Sequence, residues 1–293
     1  MTFTQLEVLV ALAKAGSFSR AAGLLGITQS AVSHAIRALE TELDVLLVRR
    51  EGPVSTLTET GARLLLRANV ILQEKEALCQ EAAAERGVAR GTLKIASFGP
   101  TSSLQLLPRL ITEYRRRQPQ VEVQVEEQDD DTVARWLLER RVEIGFVVLP
   151  DDRFETIPLA EDELVALIPA SHRLAGRSAI RAGDFDGEPF IRTSAGSGAQ
   201  IDRFLDQAGA KPNTLYRFEQ LSSMLGFVAQ AQAVSMAARL ALPPAPEGVV
   251  YRSLSPRQRR VTGLAVRHLG RLSPAAAAFV ALARQGTRLR RLG

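Results

Sequence analysis

A chain of 293 residues, 46% apolar and 24% charged, has the composition of an ordinary globular protein and the length for two or three cores. It contains no run of about 18 uncharged apolar residues, so no membrane span is expected; its opening MTFTQLEVLVALAKAG places Glu7 inside the apolar part with no basic leader, so a cytoplasmic protein is expected. The formal charge of +5 makes only a weak case for nucleic acid, because residues 1–60 hold five basic side chains (Lys14, Arg20, Arg37, Arg49, Arg50) against six acidic ones.

The first helix is expected to open at Thr4, where Thr4 and Glu7 have capping-box spacing and Phe3 and Val8 that of a hydrophobic staple. Its stripe of Leu6, Leu9, Val10 and Ala13 stops at Gly16. A short second helix follows a cap at Ser17 or Ser19; Ala21 and Ala22 suit a close crossing, Leu25 faces the core, and Gly26 breaks the helix. Ile27 and Val32 then have staple spacing around a cap at Thr28.

The third helix divides cleanly. At about 100° per residue, Ala31, Val32, Ala35, Ile36, Ala38 and Leu39 share one arc. Gln29, Ser30, Ser33, His34, Arg37 and Glu40 fill the opposite arc with no apolar intruder. A short helix, a tight turn and such a helix match helix-turn-helix geometry. Gln29 can pair bidentately with adenine, Ser30 and Ser33 are small donor–acceptors, and Arg37 can reach guanine or phosphate. A surface helix with a normal polar face stays open on this arc alone.

The stretch DVLLVRREGPVSTLT alternates apolar and polar residues around Gly52-Pro53 and reads as a two-stranded hairpin, a wing, with Arg49 and Arg50 where it would meet a DNA backbone. The segment from Thr58 to Gly87 then reads as one long helix. Leu65, Leu72 and Cys79 recur at every seventh position, with Leu64, Ala68 and Ile71 beside them, which is the pattern of an interhelical seam. A dimerising helix there would set two reading heads on successive half-sites. Cys79, the sole cysteine, cannot form an intramolecular disulfide and reads as a small packed residue of that seam.

From Ser17 to Leu65 without a gap, the sequence resembles the DNA-binding segment of LysR-type transcriptional regulators. The resemblance lies in the order of elements, the Ala21-Ala22 pair, Thr28-Gln29-Ser30-Ala31-Val32-Ser33, the Leu39-Glu40 pair and Leu57-Thr58-Glu59-Thr60-Gly61. Three positions depart from the family's usual residues: His34 stands for Arg, Asp44 for Gly and Leu47 for Phe. His34 removes a permanent charge from the reading helix. The resemblance implies contacts to double-stranded promoter DNA with two-fold related half-sites from Thr28, Gln29, Ser30, Ser33, His34, Arg37, Arg49 and Arg50. It also implies a dimer through residues 59–86 that pairs into a tetramer, a small-molecule effector with carboxylates among the candidates, and no cofactor or metal.

After the hinge RGVARG the pattern becomes strand–helix alternation. TLKIAS, VEVQVEE and VEIGFVV are strand-like, with helices in LQLLPRLITEYRRRQ and DTVARWLLERR, an α/β layout with a mainly parallel sheet. ELVALIPA starts a second set with PFIRT, a helix over about Ser197 to Ala208, TLYRFEQ, a helix near Leu221 to Ala231, and AVSMA; RRVTGLAVR and a helix after Pro274 return to the first set. Two α/β lobes joined by crossing strands resemble the periplasmic-binding-protein-like effector domain of the same regulators. The expected organisation is a winged helix-turn-helix over 1–58, a linker helix and hinge over 59–90, and a two-lobed domain over 91–293, with lobe one about 91–161 plus 266–293 and lobe two about 162–265.

In such a domain a small ligand sits between the lobes, where strand C-termini and helix N-termini converge; unpaired N–H groups there suit a carboxylate. The resemblance picks Thr101, seven residues before Pro108, with Ser102 beside it; Thr193 and Ser194 on the facing lobe; Ser222 and Ser223 at another helix start; and Phe146, Val147 and Val148 at the mouth after the third strand. An ordinary N-cap is the alternative for each hydroxyl. Gln230, Gln232 and Ala238 occupy places where the family has Gly and Pro, so that wall of the cleft is expected to be reshaped.

The ten Arg from Arg252 onward, with no acid among them, read as a solvated basic face of a C-terminal strand and helix. Catalysis finds little support. The three His (His34, His172, His268) are scattered, and there is no nucleophile elbow, phosphate loop or dinucleotide fingerprint. The run Asp129-Asp130-Asp131 reads as a helix-start cap with solvated acids rather than a metal cluster. A ligand-responsive DNA-binding regulator is expected. A solute-binding protein or enzyme on the same scaffold, or a regulator that has lost effector control, are the alternatives.

Overall fold

Helix α1 (Phe3–Ala15) begins two residues earlier than its sequence suggests, because Thr2 rather than Thr4 supplies the cap. The Thr2 hydroxyl accepts the Gln5 N–H at 3.2 Å and the Gln5 side chain accepts the Thr2 N–H at 2.7 Å, the same reciprocal chemistry on a different pair. Glu7, released from capping, pairs with Lys75 at 2.7 Å. The computed structural model describes residues 1–49, 55–86, 89–193 and 197–287. The chain divides into two units, Met1–Gly91 with Leu138–Arg141, and Thr92–Leu137 with Val142–Gly293.

In the first unit Gly16 adopts a left-handed conformation (φ 65°), ends α1, and turns the chain into α2 (Phe18–Leu25), capped by Ser17. Ala21 and Ala22 are buried where α2 packs on its neighbours. Gly26, also left-handed, leads into α3 (Gln29–Leu43), capped by Thr28. Val32, Ile36 and Leu39 are fully buried, while Ala35 packs partly against the same core. Two expectations shift here. Ala31 is exposed, and Ile27 is 40% exposed although Val32, its expected staple partner, is fully buried. Asp44 ends α3 at φ 52°, a conformation that favours glycine.

The hairpin is short: β1 (Val48–Arg49) pairs antiparallel with β2 (Thr56–Leu57), Val48 opposite Leu57 and Arg49 opposite Thr56. Its Gly52-Pro53 tip lies outside the described residues. Helix α4 (Glu59–Ala84) follows, capped by Thr58, whose hydroxyl accepts the Gly61 N–H at 2.8 Å and donates to the Leu46 carbonyl at 2.7 Å. Gly61 lies so close to Leu47 that an added Cβ would collide with its carbonyl oxygen and sit 2.9 Å from the carbonyl carbon. All of the expected seam except Cys79 faces inward. Ala68 is buried, and Leu64, Leu65, Ile71 and Leu72 pack partly against the core that α1 and α3 build, because α4 lies along α1. The large apolar residues α4 leaves exposed are Leu66 and Leu78, and Cys79 is exposed as well.

The second unit is one continuous sheet with helices on both sides. Its strands are β3 (Gly91–Phe98), β4 (Val121–Gln128), β5 (Ile144–Leu149), β6 (Glu155–Pro169), β7 (Ala179–Arg181), β8 (Pro189–Thr193), β9 (Asn213–Phe218), β10 (Val234–Ala238) and β11 (Val249–Val266). The order across the sheet is β4-β3-β5-β11-β6-β10-β8-β9, with β7 beside β11. Pairing is parallel at β3–β5, β8–β10 and β8–β9, but antiparallel wherever the long strands β6 and β11 take part with each other, β5 or β10. The two long crossing strands thus pair antiparallel with each other and with β5 and β10, while β7 runs parallel beside β11.

Helices α5 (Leu107–Arg117), α6 (Asp130–Leu138), α7 (Gly198–Asp206), α8 (Leu221–Ala229) and α9 (Pro274–Thr287) cover the sheet. A wide turn of π-helix, Thr101–Leu106, precedes α5. Separate apolar clusters form in the lobes, one around Phe146, Tyr114 and Phe279, others around Phe185 and Phe190 and around Val165, Leu167 and Met224. The Tyr114 hydroxyl donates to the Ala275 carbonyl at 2.9 Å and its ring meets Phe279 edge-on, so α9 packs in the first lobe.

Candidate nucleic-acid interface and ligand cavity

On α3, Gln29, Ser30, His34 and Arg37 are exposed and Ser33 is half-buried on the same side. Thr28 is committed to the helix: its hydroxyl accepts the Ala31 N–H at 3.2 Å and lies 2.9 Å from the Ser30 hydroxyl. Glu40 turns away from the polar arc. Its carboxylate accepts the N–H of Leu47 at 2.9 Å and of Val48 at 3.1 Å, holding the start of the wing, so the reading face stops at Arg37. Nothing in helical periodicity marks Glu40 for that role. Arg49 is exposed on β1; Arg50 lies outside the described residues. The wing is also tied to the turn after α1 by the Ser55 N–H on the Gly16 carbonyl at 3.0 Å.

In the second unit the C-terminal ends of β3, β8 and β10 and the segment after β9 surround a cavity of about 60 Å³. This is where an open α/β sheet presents its free strand ends to ligands. Thr101 lines it from the first lobe, Thr193, Ser197, Glu219 and Met224 from the second, and Arg260 from the crossing strand β11. Arg260 is 5% exposed, although it belongs to the arginine-rich stretch whose charges are expected in solvent. Its position follows from register: Arg260 lies directly opposite Asp162 on β6, which places both side chains on one face of the sheet.

The surroundings of Arg260 are well defined. One terminal nitrogen donates to the Ser197 hydroxyl at 2.9 Å and the other to the Thr101 hydroxyl at 3.4 Å. Its Nε is 3.3 Å from Asp162 Oδ2, and the guanidinium lies 5.9 Å from the centre of the Phe98 ring. Asp162 Oδ1 accepts the N–H of Glu163 at 2.8 Å and of Leu240 at 3.0 Å. Burial pushes the Asp162 carboxyl up against the opposing pull of Arg260, and burial pushes Arg260 down against Asp162 and Asp130. Asp130 is raised to about 6 by burial, with Arg260 opposing. The expected solvated acids are thus split. Asp129 caps α6 through Thr132 at 2.9 and 2.7 Å, whereas one Asp130 oxygen is enclosed without a hydrogen-bond partner.

Of the hydroxyls the sequence singles out for the cleft, Thr101 and Thr193 line the cavity. Ser102 does not. It is fully buried, accepts from Ser97 at 2.9 Å and from the Phe98 N–H at 3.0 Å, and donates to the Phe98 carbonyl, tying the turn after β3. Ser194 lies outside the described residues. Ser222 is exposed and Ser223 half-buried away from the cavity; α8 turns Leu221 and Met224 inward, and residues one or two positions on rotate off that face. Phe146 and Val147 are in the first lobe's core and Val148 packs against it, because β5 is hydrogen-bonded on both sides, between β3 and β11. Arg260, Ser197, Glu219 and Met224 are among the members that sequence reasoning missed. Only an unbalanced Arg on a strand hinted at the first.

The residues after Thr2 match the model of the bacterial regulatory helix-turn-helix protein, lysR family, over 3–62, and those after it match the LysR substrate binding domain over 86–288. The chain belongs to the LysR family of transcriptional regulators. As a LysR-family member it is 35% identical to the transcriptional regulator YvbU of Bacillus subtilis over 97% of this chain and 98% of that one. It is 29% identical to the transcriptional dual regulator OxyR of Escherichia coli, over 91% and 90%. Among solved structures, full-length OxyR of Pseudomonas aeruginosa superposes with a TM-score of 0.73 at 24% identity, covering 99% of this chain and 96% of that one. CbnR, solved also with its target DNA, gives 0.65 in that complex at 22% identity, covering 98% and 100%. These likenesses confirm the fold of a helix-turn-helix unit followed by an α/β ligand-binding domain. Among the described residues no helix of this LysR-family chain is long and apolar enough to cross a membrane, and no group of three or more His, Cys, Asp or Glu is placed to hold a metal ion.

Proposed function

We propose that this transcriptional regulator reads promoter DNA through Gln29, Ser30, Ser33, His34 and Arg37 of α3, with Arg49 and Arg50 of the wing on the phosphate backbone, and that a small molecule bound at the cavity around Thr101, Thr193, Ser197 and Arg260 modulates it. The observation that carries the DNA reading is the exposed polar arc of α3 over a fully buried Val32, Ile36 and Leu39. An arc anchored this firmly presents side chains to a major groove at little further entropic cost. CbnR, which shares this fold, has been solved with its target DNA, and that likeness supports the reading.

We take residues 1–58 as the reading head, 59–90 as linker, and 91–293 as the ligand-responsive part. Two copies pair through α4, where Leu66 and Leu78 supply the apolar surface. Like its relatives, the chain acts as a regulator and not an enzyme. Two relatives from Escherichia coli strains are hydrogen peroxide-inducible genes activators. The sole cysteine here is Cys79 of α4, so residues 92–293 offer no thiol for cysteine oxidation.

Arg37→Ala and Gln29→Ala are expected to abolish promoter-specific mobility shifts while the circular dichroism spectrum stays unchanged; undiminished binding to the same site would remove α3 from the reading role. Thr101→Phe is expected to remove ligand response and leave DNA affinity intact.

A further inference from the structure

The charge inside and around the cavity limits what it accepts. The two terminal nitrogens of Arg260 each spend one hydrogen on a cavity-lining hydroxyl, Ser197 and Thr101. An arginine fork keeps two further hydrogens on those nitrogens, and their spacing matches the two oxygens of a carboxylate. Yet the cation is already answered: Asp162 lies at its Nε, Asp130 interacts with it electrostatically, and Glu219 lines the cavity. Asp129 and Asp131 flank Asp130, and Glu163 flanks Asp162, but each has an arginine of its own: Glu163 pairs with Arg239 at 2.9 Å, and Arg135 and Arg153 offset Asp129 and Asp131. No ion pair among the described residues engages Glu219, which is exposed at the rim. A ligand carrying only a carboxylate would add one more negative charge to a site that holds one cation against three carboxylates.

We propose that the effector is a small zwitterion of the α-amino acid type, with its carboxylate on the Arg260 fork between Ser197 and Thr101 and its ammonium toward Glu219. This deepens the reading of the cavity as the effector site and rests on it. The zwitterion satisfies the fork without changing the net charge of the site, and its ammonium supplies the cation that Glu219 lacks. Size agrees. A single water needs about 10–15 Å³ of such space, so a cavity of about 60 Å³ suits a molecule the size of glycine, alanine or serine. Met224, Leu221, Ala237 and Phe98 provide apolar wall for a short side chain.

The test is calorimetric titration of the full-length protein with glycine, L-alanine and L-serine, and with propionate, which matches alanine but lacks the ammonium. At least one amino acid is expected to saturate the protein with a Kd below about 1 mM, and propionate to bind at least about tenfold more weakly than alanine. Glu219→Gln, an exposed substitution, is expected to bring alanine down to the propionate level. Arg260→Lys, which keeps the charge for Asp162 but loses the fork, is expected to weaken both. Equal or tighter binding of propionate, indifference of alanine to Glu219→Gln, or no binding by any of the three amino acids overturns the zwitterion. Thr101→Phe separates the two levels: propionate that binds at least as tightly as alanine and is blocked by this variant keeps the cavity as a ligand site and rejects only the class, whereas alanine binding that survives it rejects the cavity itself.

Discussion

Glu40→Ala tests how the reading head is held to its wing. The Glu40 carboxylate accepts two backbone N–H groups, from Leu47 and Val48, at 2.9 and 3.1 Å. Both residues are buried, at 0% and 4% exposure, so neither amide gains full access to water when the acceptor is removed. Hydrogen bonds to a charged acceptor contribute about 1.5–3 kcal/mol each, and an orphaned buried donor costs about 1–3 kcal/mol. Allowing for partial relaxation and for the half-buried carboxylate, the loss is about 2–4 kcal/mol for the pair. The protein's single tryptophan, Trp136, lies in α6 and does not report on the wing. Amide hydrogen exchange resolved to the peptide carrying Leu47 and Val48 does. In the regime where exchange follows the opening equilibrium, those amides are expected to speed up by roughly 30-fold to several hundredfold in the variant, at about tenfold per 1.4 kcal/mol. Glu40→Gln keeps one oxygen acceptor and is expected to show less than about tenfold acceleration, because it loses charge assistance alone. Exchange of Leu47 and Val48 within about threefold of the parent protein in Glu40→Ala would refute the carboxylate as the support of the wing.

Two further outcomes follow from the same geometry. Gly61→Ala drives a methyl group into the Leu47 carbonyl, where backbone must move, and is expected to cost at least about 2 kcal/mol despite alanine's better helix propensity; a chemical denaturation midpoint for the first unit that rises would refute the close approach. Asp130, raised to about 6 by burial, binds its proton more readily folded than unfolded. Its ionisation therefore opposes folding, a penalty absent below the unfolded value of 3.8, growing as pH rises toward 6 and complete above it, at most about 3 kcal/mol. Asp130→Asn is expected to raise the melting temperature of the second unit at pH 7.5 and to have a much smaller effect near pH 4; equal shifts at both pH values would show that Asp130 is not the titrating group.

Much of the first unit could be read from the sequence because its information is local. Capping residues, the 3.6-residue period of α3 and the turn glycines Gly16 and Gly26 act within a few positions, and the resulting helices appear where those signals place them. The sequence also determined strand–helix alternation, while the placing of Thr101 and Thr193 at one cleft came through the family resemblance. Errors arose where two local solutions compete, as with Thr2 against Thr4 for one cap, or where a side chain spans elements. Glu40 lies on the polar arc by angle, yet its length lets it turn back to the buried amides of Leu47 and Val48.

What only the tertiary structure decided is register and burial. Arg260 and Asp162 are separated by 97 intervening residues, and they meet because β11 and β6 pair with a register shift between Ser253 and Gln258. A one-residue slip would point Arg260 to the opposite face. No composition or period encodes that alignment; it is set by packing along two long crossing strands. The same packing converts an arginine from an apparently solvated basic stretch into the one cation lining the cavity among the described residues.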